Sequence, residues 1–254
     1  MSTIAVIGGT GMDAWPGLEV KRRLEVPTPY GNTSAPLLQG RIYDCDAIFL
    51  ARHGEGHKIP PHSINYRANL WALREVGVTH VIGIGAVGAI ARWFEPGALA
   101  VPSDIIDYTW GRAHTYSDGG AGSQLQHIEF NAPYAASVRS VLLESAQLAG
   151  LSAHDGGVHG VTQGPRLESP AEVRRMRQDG CDMIGMTGMP EAALAAELEL
   201  AYGCLAVSVN WAAGIGSGDI HGEIHRSIEI GMSRVRSVLE RALPALIGGL
   251  QVVE

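Results

Sequence analysis

The sequence predicts an α/β fold: a single domain with a mixed, largely parallel central β-sheet flanked by helices. Three observations predict it. Short apolar runs rich in β-branched residues recur along the whole chain, helical periodicities fall between them, and 254 residues at 46% hydrophobic and 18% charged suffice for one substantial core. Strands alternating with helices imply parallel neighbours whose crossovers cover both faces of the sheet. Residues 1–254 are accordingly expected to form one domain.

Taken in order, the strand candidates are residues 4–7, 47–51, 81–84, 98–101, 158–162, 183–186 and 206–209. After Pro61, the residues Ile64, Ala68, Trp71, Ala72 and Val76 recur at helical spacing. Residues 134–148 and 170–177 predict two more helices. Pro190 suits the first turn of a fourth, PEAALAAELELA, and residues 223–243 form the last. The glycine-rich SDGGAGSQ (117–124) reads as a surface loop. AAGIGSGDIHGE (212–223), just before the last helix, reads as a candidate lid.

Bulk properties exclude several classes. A net charge of −7 without a basic stripe argues against nucleic-acid and acidic-membrane partners. Arg174, Arg175 and Arg177 read as a solvated helix face. The three cysteines Cys45, Cys181 and Cys204 form no CxxC, which speaks against a disulfide framework or a zinc site. The first residues, MSTIAVIGG, contain no basic region followed by an apolar stretch, and no run has membrane-spanning length, so a cytoplasmic location is expected.

In open α/β sheets, ligands gather beyond the C-terminal ends of strands. That rule selects residues 8–11, 52–53, 85–88, 163–169, 186–188 and 210–213 as parts of one site, each following a strand candidate. The first segment, GGTG, is built to bring backbone amides close to an anion. A dinucleotide fits poorly, because Gly9, Gly11 and Ala14 match GxGxxG only loosely and Pro16 interrupts the helix that should follow. Free phosphate fits better: Arg52 offers a planar fork of donors, His53 a further donor, and Thr10 and Thr187 hydroxyls. A metal is the third alternative. The pairs among His53, His57 and His62, and His221 with His225 in HGEIH, lack the HExxH order and a further ligand.

The segments GGTG, TPYG, ARHGEGHKIPPHSINYRANLWAL, THVIGIGAVGAI, QGPRLESPAE and DMIGMTGMPEAALA resemble the purine nucleoside phosphorylase and methylthioadenosine phosphorylase family over nearly the whole chain. The resemblance implies cleavage of a purine nucleoside by inorganic phosphate as co-substrate, with no cofactor and no metal, in a homotrimer. It implies phosphate contacts by Thr10, Arg52, His53, the backbone at Gly85 and Ala86, and Thr187. It places Met186 against the ribose, and Asn210, as the catalytic group, with Trp211 and Ala212 at the base. His127 in HIEF matches the segment that closes a neighbouring subunit's sugar pocket.

The chain departs from the adenine-specific members at the base. They carry a TDYD-like pattern after the sixth strand, where this chain has VNWAA, and a small hydroxyl residue where this chain has Glu168. A 6-oxopurine has a donor at N1 for Glu168 and an acceptor at O6 for the Asn210 amide, whereas adenine reverses the pattern. Glu168 has an alternative role as a cap for the helix beginning near Pro170. Alignment puts Glu223 or Ile224 at the 5′ end of the sugar, with Ile228 one turn on; apolar Ile224 and Ile228 suit a 5′-methylthio group. The expected reaction is phosphorolysis of S-methyl-5′-thioinosine to hypoxanthine and 5-methylthioribose 1-phosphate in purine salvage. The alternatives are methylthioadenosine or inosine and guanosine as substrate, or a non-catalytic nucleotide-binding module.

Overall fold

The computed structural model describes residues 3–119, 125–216 and 220–250. Its strands are β1 (Thr3–Gly8), β2 (Glu19–Leu24), β3 (Leu37–Ile42), β4 (Cys45–Ala51), β5 (Val78–Ala89), β6 (Leu99–Val101), β7 (Asp104–Asp107), β8 (Ala153–Asp155), β9 (Val158–Val161), β10 (Met183–Gly185) and β11 (Ala201–Trp211). The helices are α1 (Tyr66–Glu75), α2 (Ala136–Leu148), α3 (Pro170–Gln178), α4 (Gly188–Glu197) and α5 (Ile220–Leu250). The expected α/β architecture is present, with a mixed, largely parallel sheet flanked by helices.

All seven expected strands and five expected helices form, with shifted bounds. The fourth helix stops at Glu197, because Glu199 enters the left-handed region (φ 57°) and the chain turns directly into β11. Four strands escaped the sequence reading for physical reasons. In β2, five of six residues are exposed, so no apolar run marks it. In β3 the chain hairpins with β2 and β4, while β7 and β8 are short and carry acidic residues. Both glycine-rich expectations fall partly on residues 120–124 and 217–219, outside the described residues.

The sheet's long members position the site. On one edge, β5 pairs with β11 in parallel from His80 to Ala89. The other edge is shared. β1 accompanies β5 only as far as Gly83, and β10 arrives antiparallel at Gly88 and Ala89. Between them, residues 84–87 of β5 have no strand neighbour on that edge among the described residues, and the sheet opens. The segment 85–88 therefore lies inside a strand rather than after one, as does Asn210 in β11. α2 and α5 pack on each other and on β11, and α1 packs on α4. The core between them is apolar and fully buried around Ile4, Ile7, Ile82, Ile84, Leu205 and Val207.

Candidate active site

A cavity of about 380 Å³ occupies the opening in the sheet, within the size range of small-molecule sites. All six segments selected from the sequence contribute to its wall, through Thr10, Arg52, His53, Ala86, Glu168, Met186, Thr187, Asn210 and Ala212 among others. The first residues of α5 close one side with Ile220 and Ile224.

The polar groups are held from behind. Gly9 passes so close to β5 that a Cβ there would lie 2.6 Å from the Ile84 carbonyl oxygen and 2.9 Å from Arg52 Nη1. Arg52 is 2% exposed and donates from Nη1 to that carbonyl at 2.9 Å. Its fork, however, is already occupied. Nε and Nη2 donate to the two carboxylate oxygens of Glu191 at 2.7 Å each, and Glu191 is fully buried on α4. Tyr202 Oη donates to Glu191 Oε1 at 2.8 Å; a side chain at Gly83 would collide with that hydroxyl. Burial works against the Arg52 charge, and the Glu191 carboxylate more than offsets it, so the guanidinium stays protonated above its ordinary range. The expectation of an open fork facing phosphate is thereby corrected. The pair is neutral overall, and Arg52 has only its second Nη1 and Nη2 hydrogens left for a ligand.

His53 is corrected in the same way. Its Nδ1 lies 2.8 Å from the Ile59 carbonyl oxygen, while the Ile59 N–H donates back to the His53 carbonyl at 2.9 Å. A carbonyl can only accept, so Nδ1 carries the hydrogen. Burial, with Arg52 and His57 adding to it against the Ile59 hydrogen bond, lowers the pKa to about 4. At neutral pH, Nε2 is a bare acceptor rather than a donor. The His57 ring stacks on His53 at 4.2 Å between centroids, and its Nδ1 pairs with Asp13 Oδ1 at 2.7 Å, joining the glycine loop to the loop after β4. Thr187 precedes α4 without its side chain capping the helix, which leaves that hydroxyl uncommitted to the backbone.

At the opposite end, Glu168 does not cap α3. Ser169 does, in a reciprocal capping box with Glu172. Glu168 reaches the cavity, with Oε1 accepting from Thr162 Oγ1 at 2.5 Å. Asn210 donates one N–H to the Trp211 carbonyl at 2.7 Å, which leaves its other N–H and Oδ1. Ala212 completes this wall with a methyl group.

Five expected site residues are not on the cavity wall. A side chain at Gly85 would meet Cys204 Sγ of β11 at 3.5 Å and Val87 Cγ1 at 3.7 Å. Glu223 accepts from the Trp211 backbone N–H at 2.9 Å, and the Trp211 ring lies under the Arg92 guanidinium at 5.8 Å. Ile228 packs beneath Gly11. His127 is exposed. The register of α5 is nonetheless clear: Ile220 and Ile224 line the cavity, while His221 and His225 are exposed. No group of three or more potential metal ligands occurs among the described residues.

Residues 3–244 match the model of the Phosphorylase superfamily. The chain belongs to the phosphorylase superfamily. A probable S-methyl-5′-thioinosine phosphorylase of Xanthomonas campestris pv. campestris is 48% identical over 97% of this chain and 96% of its own. The 6-oxopurine nucleoside phosphorylase of Pyrococcus furiosus is 39% identical over 97% and 92%. Among solved structures, methylthioadenosine phosphorylase from Schistosoma mansoni in complex with adenine superposes with a TM-score of 0.90 at 28% identity, over 98% of this chain and 93% of that one.

Sequence reasoning about this phosphorylase missed two residues that shape the site. Glu191, an acid in the first turn of a helix, reads as complementing the helix dipole, and its partner Arg52 is 139 residues away. Arg112 is 8% exposed and forms no ion pair with a carboxylate among the described residues. It donates instead to the carbonyls of Met186, Met189, Thr162 and Gln163 at 2.6–3.2 Å, bracing two cavity segments from behind.

Proposed function

We propose that this chain cleaves S-methyl-5′-thioinosine with inorganic phosphate, releasing hypoxanthine and 5-methylthioribose 1-phosphate. The observation that carries the reading is the joint presence of Glu168, Asn210 and Ala212 in the lining of one cavity. An unoccupied carboxylate oxygen meets N1–H of a 6-oxopurine. The free Asn210 N–H meets O6, and Asn210 Oδ1 accepts from N7–H. Adenine would oppose Glu168 acceptor to acceptor, at a cost of about 1–3 kcal/mol for a buried unpaired acceptor. At Ala212 it finds no carboxylate for its amino group. The names of the relatives at 39–48% identity support the same class.

Phosphate sits at the other end, held by Thr10, Thr187, the two remaining Arg52 donors, His53 and the backbone beside Ala86. Departure of the base leaves an oxocarbenium-like sugar, which the phosphate stabilises electrostatically before bonding to C1′. As the C1′–N9 bond breaks and the phosphate oxygen bonds to C1′, the proton that hydrogenphosphate gives up balances the one gained by the base. Asn210 is the catalytic side chain, because its Oδ1 accepts a hydrogen bond from the resulting N7–H. Met186 packs on the ribose, and Ile224 with Ile220 takes the methylthio group. No cofactor or metal takes part. We further assign a homotrimer in which His127 completes a neighbour's sugar pocket, and a reducing cytoplasmic setting, which suits three buried free cysteines.

The test is a panel of methylthioinosine, methylthioadenosine, inosine and guanosine, each with and without phosphate. Phosphate-dependent hypoxanthine release, fastest from methylthioinosine, is expected. Release without phosphate, or none from any nucleoside, overturns the reading. Light scattering at assay concentration tests the assembly, and an active monomer contradicts it.

A further inference from the structure

One residue, Trp211, joins the end of β11 to the start of α5. The register of β11 with β5 shifts between Ser208, which pairs with Val87, and Asn210, which pairs with Gly88, so Val209 is one residue in excess. Such a bulge re-aims the side chain beside it. The Asn210 amide comes to lie over Gly88, where a Cβ would stand 3.3 Å from Nδ2. Nδ2 donates to the Trp211 carbonyl at 2.7 Å. A carbonyl only accepts, so the nitrogen faces it and Oδ1 is turned the other way. The Trp211 carbonyl thus decides which edge of the amide is left for a ligand.

Trp211 is itself held from α5. Ala212 donates its N–H to the Ala89 carbonyl of β5 at 2.8 Å, and successive N–H groups along a strand point to opposite edges. The Trp211 N–H therefore points away from β5. On that far edge β6 pairs with Ala206 and Val207, and no strand reaches Trp211 among the described residues. Glu223 Oε2 accepts the Trp211 N–H instead, at 2.9 Å, a charge-assisted bond. That bond sets the peptide plane directly after the Asn210 Cα. Glu223 stands between Ile220 and Ile224, which line the cavity from the start of α5.

We infer that Glu223 is a positioning residue for the base: from α5 it fixes the backbone at Trp211, whose carbonyl holds the Asn210 amide with Oδ1 free for N7–H. Glu223 thereby acts on the base end without lining the cavity. The inference rests on the reading that Asn210 faces the purine.

The experiment is a double-mutant cycle on the intact protein, with kcat for methylthioinosine measured at saturating phosphate. Glu223→Ala should lower kcat about tenfold and leave KM for phosphate unchanged. Glu223→Gln, whose side-chain carbonyl accepts the same N–H, should stay within about threefold of the unmodified protein. In the Asn210→Ala background, Glu223→Ala should change kcat by less than about twofold, because the group it positions is gone. Where the double variant turns over too slowly to follow, Kd for hypoxanthine reads the same cycle. Glu223→Leu takes the place of Glu223→Ala should the latter fail to fold. Full activity of Glu223→Ala overturns the inference, as does a tenfold loss that persists in the Asn210→Ala background. Full activity of Asn210→Ala alone overturns instead the reading of the base end on which this one rests.

Discussion

The two ends of the cavity are built on opposite plans. At the anion end, Arg52, Glu191 and Tyr202 are buried and spend most of their hydrogen bonds on one another. At the base end, Glu168 and Asn210 each spend one bond on the protein and keep the rest for a ligand. The first plan fixes geometry and removes net charge; the second leaves a donor and acceptor pattern to be read. A closed network should fail as a unit, with folding and function together. An open pattern should change substrate while the fold persists.

The sharpest way to break this contrast is at Arg52. Arg52→Ala strands the fully buried Glu191 carboxylate, and loss of one partner of a buried pair costs about 3–5 kcal/mol. Denaturant unfolding should show that loss together with a raised KM for phosphate. Arg52→Met with Glu191→Leu should recover much of the stability and none of the phosphate use, since removing both charges leaves none unpaired. Recovery of phosphate use in the double variant would mean that Arg52 does not serve the anion.

Next in size is a pH effect behind the same network. His159 is 2% exposed on β9, with its Nδ1 by Tyr134 Oη at 3.1 Å and Nε2 without a hydrogen-bond partner among the described residues. Burial, and then Arg52, lower its pKa to about 4. The unfolded chain binds a proton below about pH 6.5 that the folded chain refuses until about pH 4. Stability is therefore complete above that window and falls with pH inside it, by about 3 kcal/mol for His159 alone. Unfolding curves across the window should be flatter in His159→Gln; equal slopes would show that His159 does not carry the linkage.

The base end should respond in specificity. Asn210→Asp exchanges a donor for an acceptor and should move relative kcat/KM from methylthioinosine toward methylthioadenosine by about tenfold to a hundredfold, with Tm little changed. Adding Glu168→Ser and then Ala212→Asp should carry it further. A folded Asn210→Asp with an unaltered ratio would remove Asn210 from the base. Smallest is Thr162→Val, which frees Glu168 Oε1 and should cost about 1 kcal/mol in kcat/KM for the 6-oxopurine without altering KM for phosphate.

The same contrast explains what could be read from the sequence. Residues 4–7, 47–51 and 81–84 announced strands because they are buried on both faces. β2 stayed hidden because its edge is solvated. At the base end, Glu168 and Asn210 were legible because each acts through its own atoms. At the anion end, Arg52 and His53 were found, but their roles depend on Glu191 and on the Ile59 carbonyl. Pairings across the fold leave no local pattern. The α5 register needed the helix start at Ile220, which places Ile224 inward and His225 outward.

The central claim is that the open end of the cavity reads a 6-oxopurine on a methylthio sugar. Its most direct test is the ratio of kcat/KM for methylthioinosine over methylthioadenosine, measured at saturating phosphate. The account predicts a ratio well above one, with no product when phosphate is withheld; a ratio below one would contradict it.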